Sequence, residues 1–195
     1  MTNLFLDIES HSPHKEFNFD GMKVITIQHK KESDTSIVVR AEWYKGKSEK
    51  AILQDFKEFL KNELEKDKYL TLIGHNLLRF DIPFLIHRMQ IHEIDTPENL
   101  LSLFHNTVVI DTMQVLLPFN NYFIKGTAAS YLDEILNIKK MKHANNEIKD
   151  FYENEEERYK IIEHAEADIL FTQDLWTILK SDKIISNQGR ISLKK

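Results

Sequence analysis

Three acidic groups stand in this chain where apolar patterning would place hydrophobic residues. Asp7 and Glu9 close the run Asn3-Leu4-Phe5-Leu6-Asp7-Ile8-Glu9. Side chains of a strand change face at every residue, so Asp7 and Glu9 share one face and Ile8 takes the other. Asp81 lies in the stretch from Gly74 to Leu85, between an apolar run and an amphipathic one, and Asp168 lies in His164-Ala165-Glu166-Ala167-Asp168-Ile169. Carboxylates brought to one point repel: at ~4 Å and an effective dielectric of ~20, each pair costs about 4 kcal/mol. Raised pKa values or bound cations must relieve that. Oxygen donors suit Mg²⁺ or Mn²⁺. Two such ions ~3.5–4 Å apart can activate a water and stabilise the leaving oxygen of a phosphodiester. Taken singly, Asp7 and Glu9 could close a solvated turn, Asp81 could cap a helix, and Asp168 could be an exposed helix charge. Their order and apolar settings favour one shared site.

The elements that would position these groups follow from periodicity. Residues 3–8 read as a buried strand, and Val24–Gln28 and Ile37–Trp43 as β-branched strands separated by the polar turn Lys30–Ser36. Lys50–Leu64 carries a helical apolar stripe at 52, 53, 56, 59, 60 and 64. Tyr69–Ile73 is a buried strand ending at Gly74, and Ile82–Met89 a helix with Pro83 in its first turn. Val108–Asp111 is a short strand; helices are expected over Thr112–Leu117, Thr127–Leu136 and Glu155–Leu179. Residues 137–154 are poorly patterned and predict a loop with room for one short helix. The expected fold class is α/β: a mixed five-stranded sheet, three antiparallel strands leading into two parallel ones, flanked by helices. One domain over residues 1–180 is expected, with a polar, basic tail over 181–195 that frays.

Composition narrows the function classes. The 195 residues suffice for one buried core. The charge, 26 − 31 = −5, argues against coating nucleic acid by bulk electrostatics. The absence of cysteine removes disulfides, thiolate metal sites and a cysteine nucleophile, and points to a reducing cytoplasm. The N-terminus shows no signal-peptide pattern, and no stretch approaches the ~20 apolar residues of a membrane span.

With these motifs in hand, the sequence resembles the DEDD exonuclease superfamily, which has a ribonuclease H-like fold. Phe5-Leu6-Asp7-Ile8-Glu9-Ser10 looks like its first motif. Gly74-His75-Asn76 through Phe80-Asp81-Ile82-Pro83-Phe84-Leu85 looks like the second, in the form found in proofreading domains of family-B DNA polymerases and small stand-alone relatives. His164-x-x-x-Asp168 sits where the third belongs, and Asp111 resembles the aspartate following the central strand. The similarity runs from about Leu4 to Leu179. The resemblance implies that Asp7, Glu9, Asp81 and Asp168 hold two Mg²⁺ or Mn²⁺ ions and that His164 stands beside the attacking water. It implies a 3′→5′ exonuclease acting on nucleic-acid 3′ ends, expected to be single-stranded DNA, with DNA repair as a setting. The third motif departs from the superfamily's usual forms by placing histidine at the tyrosine spacing. Residues i and i+4 of a helix share a face, so His164 and Asp168 can point the same way. An imidazole can take a proton from water near neutral pH.

His75, Asn76, Arg79 and Phe80 are candidates for substrate contact: His75 and Asn76 in the turn, Arg79 toward a phosphate, Phe80 as a stacking wedge or a core residue. Lys139, Lys140, Lys142 and His143 form a basic cluster that could border the cleft, and His11 and His14 follow the first motif. Asp111 reads as a helix cap or a support to the ligands. Two rival functions stay open: an RNA-trimming exoribonuclease with the same site, and a non-catalytic nucleic-acid-binding module. A resolvase-type endonuclease is a weaker third. No membrane association is expected, and oligomeric state is not legible.

Overall fold

A computed structural model describes residues 1–13, 18–140, 147–181, 184–187 and 190–193, the last two segments by backbone only. The strands are β1 (Asn3–His11), β2 (Lys23–Lys31), β3 (Val38–Ala41), β4 (Thr71–Gly74) and β5 (Val108–Asp111). They form one sheet in the order β3-β2-β1-β4-β5. The pairs β1–β2 and β2–β3 are antiparallel, and β1–β4 and β4–β5 are parallel. This is the expected arrangement of three antiparallel strands leading into two parallel ones.

The helices are α1 (Glu49–Lys66), α2 (Asp81–Ile91), α3 (Pro97–His105), α4 (Thr112–Leu116), α5 (Ala129–Ile135), α6 (Ile148–Glu153) and α7 (Arg158–Lys180). Ser48 caps α1 by accepting from the Ala51 N–H at 3.2 Å. The α1 stripe of Ile52, Leu53, Phe56 and Leu60 is fully buried. It joins Leu4, Leu6 and Ile8 of β1 and Phe84, Leu85 and Met89 of α2 in the main core. The opposite face of β1 carries Phe5, which packs with Ile73 and with Ile169 of α7. Helices thus cover both faces of the central strand. This explains why β1 reads as continuously apolar up to Asp7.

Two elements differ from expectation. Helix α3 was not anticipated, although Thr96-Pro97 is a start signal: the Thr96 hydroxyl accepts from the Asn99 N–H at 3.2 Å, and Pro97 occupies the first turn. The tail does not fray throughout. β6 (Ile184–Asn187) and β7 (Arg190–Leu193) pair antiparallel. His14, Lys142 and His143 lie outside the described residues. No helix among the described residues is long and apolar enough to cross a membrane.

Candidate active site

Strand lengths create the opening. The pairing of β1 with β4 stops at Phe5 and Ile73, so β1 runs on past the end of its neighbour. The Ile8 backbone N–H beyond that point turns to the carboxylates of Asp7 and Asp81. On the other edge β1 stays paired with β2, with Asp7 opposite Gln28 and Glu9 opposite Thr26, up to an irregularity between Glu9 and Ser10.

The turn after β4 brings in Asp81. A Cβ on Gly74 would lie 2.6 Å from the Leu6 carbonyl oxygen, so only glycine permits this approach of β4 to β1. Asn76 then takes a left-handed backbone with φ of 71°, which asparagine tolerates better than most residues. The Asp111 carboxylate holds the turn, accepting from the N–H groups of Asn76 at 2.9 Å and Leu78 at 3.0 Å. It also caps α4 through the Met113 N–H at 3.0 Å. Asp111 therefore braces the site. Asp81 opens α2, where a helix N-terminus favours negative charge.

Asp7, Glu9, Asp81 and Asp168 all line one cleft of about 650 Å³. The charge of Asp7 is felt by the other three, and all four carboxyls sit above their ordinary range. Burial pushes Asp7 up to about 7, against the opposing bond from Gln28. Burial first, then the charges of Asp7, Asp168 and Asp81, holds Glu9 well up. Burial and Asp7 raise Asp81, and burial, Asp7 and Asp133 raise Asp168. A second groove of comparable size, between α1 and α3, is lined by Lys57, Lys61 and Asp95 and holds none of these carboxylates. The chemistry, not the volume, selects the acidic cleft.

His164 is fully buried on α7 and is no helix-surface side chain. Its Nε2 lies 3.6 Å from Glu9 Oε1 and 3.4 Å from Asp168 Oδ2. The ring is absent from the cleft wall, so any contact with an attacking water runs by way of those two carboxylates. Glu9, His164 and Asp168 offer ligand atoms within 4.8 Å of one another. With four buried carboxyls gathered in the cleft and an imidazole beside two of them, the residues present fit a hard divalent cation.

Other candidates divide. His75 lines the cleft, but both ring nitrogens are engaged, Nδ1 with Thr112 Oγ1 at 2.9 Å and Nε2 with the Thr127 carbonyl at 2.7 Å. Burial depresses its pKa, so the neutral ring donates from Nε2 and ties β4 to the segment before α5. The Asn76 side-chain oxygen is buried in the same cleft without a hydrogen-bond partner among the described residues. Arg79 is exposed at the cleft and makes no ion pair among the described residues. Phe80 borders the cleft while packing on Phe84 at 5.4 Å and Phe19 at 6.0 Å, so it belongs to both core and wall.

Sequence reasoning missed Gln28 and Thr26. Both are fully buried on one face of β2. The Thr26 hydroxyl donates to Gln28 Oε1 at 2.9 Å, which fixes the amide so that Nε2 donates to Asp7 Oδ2. This chain orients Asp7. Its only sequence signal is two polar residues at spacing two within a β-branched run.

The carboxyl values give a sign for pH. Asp7 titrates at about 7 in the fold against 3.8 when free. Between those values the folded state holds more protons, so this contribution is complete below the lower value and lost as pH rises through the upper one. The metal-free protein is expected to melt at falling temperature from about pH 5 to 7.5. Added Mg²⁺ should raise the melting temperature most at the upper end. Scanning calorimetry with and without Mg²⁺ checks this; a flat pH response insensitive to Mg²⁺ contradicts it.

Compared with curated protein sequences, the chain has no match. Among solved structures it is similar to the family B DNA polymerase from the hyperthermophilic archaeon Pyrobaculum calidifontis. The TM-score is 0.62 and the sequence identity 15%, over 91% of this chain and 24% of the polymerase. That likeness carries the fold. A model of the DNA polymerase family B exonuclease domain matches residues 6–115, more than half of the chain and inclusive of Asp7, Glu9 and Asp81. The protein therefore belongs to the family of 3′→5′ exonuclease domains of family B DNA polymerases.

Proposed function

We propose that the protein removes nucleotides from the 3′ end of single-stranded DNA with the help of divalent cations, Mg²⁺ or Mn²⁺, held as a pair by Asp7, Glu9, Asp81 and Asp168. The observation that supports this reading is the gathering of these carboxyls from β1, α2 and α7 into one cleft, all raised by burial and Glu9, Asp81 and Asp168 further by the charge of Asp7. Such ions, when bound, supply the charge that neutralises the carboxylates, acidifies a water and offsets charge on the leaving oxygen.

The chain's own residues do the rest. Gln28 and the Ile8 N–H hold Asp7 in place. His164 lies against Glu9 and Asp168, where it can accept a proton that those carboxylates take from water. Arg79, exposed and without an ion pair among the described residues, is suited to a phosphate of the strand. Asn76 offers an unpartnered oxygen to a nucleotide. A module that only bound nucleic acid would gain nothing from four mutually repelling carboxyls.

The test is a ladder assay on matched 5′-labelled DNA and RNA oligomers with Mg²⁺, Mn²⁺ or excess chelator. Stepwise shortening of DNA from the 3′ end, abolished by chelator, is expected. Full activity in chelator would remove the cations from the reading. Preferential shortening of RNA would replace DNA as substrate, and binding without cleavage in Mn²⁺ would make the protein a binding module.

A further inference from the structure

Beside the acidic cleft, several large apolar side chains stand in solvent. Tyr122 is 74% exposed, Phe123 67%, Ile124 48% and Tyr131 42%. The backbone beneath them is closely held. Asn121 and Tyr122 both take left-handed conformations, with φ of 52° and 62°, which costs conformational energy at residues other than glycine. Asn120, itself buried, offsets that cost by donating to the carbonyls of Phe123 at 2.6 Å and Lys125 at 2.8 Å. The Thr127 hydroxyl donates to the Ile124 carbonyl at 2.7 Å, and the Thr127 carbonyl is gripped by His75. The rings of Tyr122 and Phe123 are thus displayed from a braced loop tied to the turn that carries Asp81.

The loop is continuous with the cleft. Ile124, Thr127 and Ala128 lie in the cleft wall. Lys125 is exposed and makes no ion pair among the described residues. Flat rings and a free cation, leading from a site for a strand end, match one ligand chemistry above others. Bases present π-faces whatever their sequence, and the backbone presents phosphates.

We propose that Tyr122 and Phe123 are a stacking platform for bases of the single strand upstream of its 3′ end, with Lys125 meeting a backbone phosphate. This rests on the nuclease reading above. The platform explains how an acidic protein holds a polyanion: affinity comes from stacking, not from net charge.

The experiment is steady-state kinetics of the full chain on oligothymidylates of about two, five and ten nucleotides. For the parent protein, KM should fall as the strand lengthens. In the double variant Tyr122→Ala, Phe123→Ala that fall should disappear, raising KM on the longest strand about 10- to 100-fold. Tyr122→Phe and Phe123→Tyr should keep the length dependence, and Tyr122→Leu with Phe123→Leu should lose it. Thermal melts of each variant verify folding. A double variant that keeps the parent's length dependence overturns the platform and leaves the patch to a protein partner. Leucines that serve as well as aromatics overturn stacking. No cleavage of any strand by the parent is a different result, and it overturns the nuclease reading itself.

Discussion

Asp7→Asn and Asp81→Asn should each abolish strand cleavage while making the metal-free protein more heat-stable. Both effects come from the same repulsion. Asp81 is 3% exposed, and after burial itself the charge of Asp7 is the main influence raising its pKa. An amide at either position removes one partner from every such pair. It also keeps an oxygen for the bonds in place: the Gln28 amide at Asp7, and the Ile8 N–H at both residues. The packing is therefore preserved and the electrostatic cost falls. Relief of about 1–2 kcal/mol corresponds to a rise of about 2–8 °C in melting temperature for a domain of this size. Cleavage should fall by about 10³-fold or more, since cation chemistry is worth several kcal/mol in the transition state. Calorimetry in chelator and the ladder assay in Mg²⁺ read the two effects separately. A large fall in melting temperature for both variants would make these carboxylates structural supports of the fold. Cleavage near the parental rate would detach them from the chemistry.

Much of this site could be read before folding because its residues interrupt strong local patterns. Asp7 and Glu9 end an apolar strand at spacing two, and the sheet does set them on the face away from Leu6 and Ile8. Gly74 marked the end of β4, and the nearby Leu6 carbonyl is the reason a glycine stands there. Asp111 was legible as a cap because it precedes Thr112 and a helical run, and it does cap α4. What escaped depended on register between strands. Gln28 supports Asp7 only because β2 folds back with residue 28 opposite residue 7, a pairing that no local spacing announces. His75 looked like a substrate contact from its place in the second motif. Its two partners, Thr112 and Thr127, are 37 and 52 residues away, so its tethering role was hidden. Burial of His164 was obscured because α7 alternates charged and small residues. The buried Ala165 and Ala167 leave α7 little bulk at this turn, where it packs against the sheet.

His164→Ala is expected to lower the turnover rate by about 10²–10⁴-fold, the usual worth of general acid–base catalysis, with much less change in strand binding. The imidazole sits between Glu9 and Asp168 at 3.6 and 3.4 Å. From there it can accept a proton that a carboxylate draws from water, and only its neutral form can do so. The parental rate should therefore rise with pH along a limb that depends on this ring. His164→Gln separates the proton acceptor from a spacer: an amide can hydrogen-bond a carboxylate but cannot take up a proton near neutral pH. If the ring accepts the proton, the glutamine variant recovers only the small part of the rate owed to orientation, stays far below the parent and, like alanine, loses the limb. If the ring only positions Glu9 and Asp168, glutamine recovers most of the rate. His164→Tyr restores the superfamily's commoner residue at this spacing. It should retain more activity than alanine by orienting the same carboxylates, again without the imidazole limb. The site is fully buried, so the larger phenol must displace neighbours, and melting temperatures are needed alongside the rates. An alanine variant as fast as the parent across the pH range would make His164 a bystander. Activation of the water would then rest with the carboxylates and their cations.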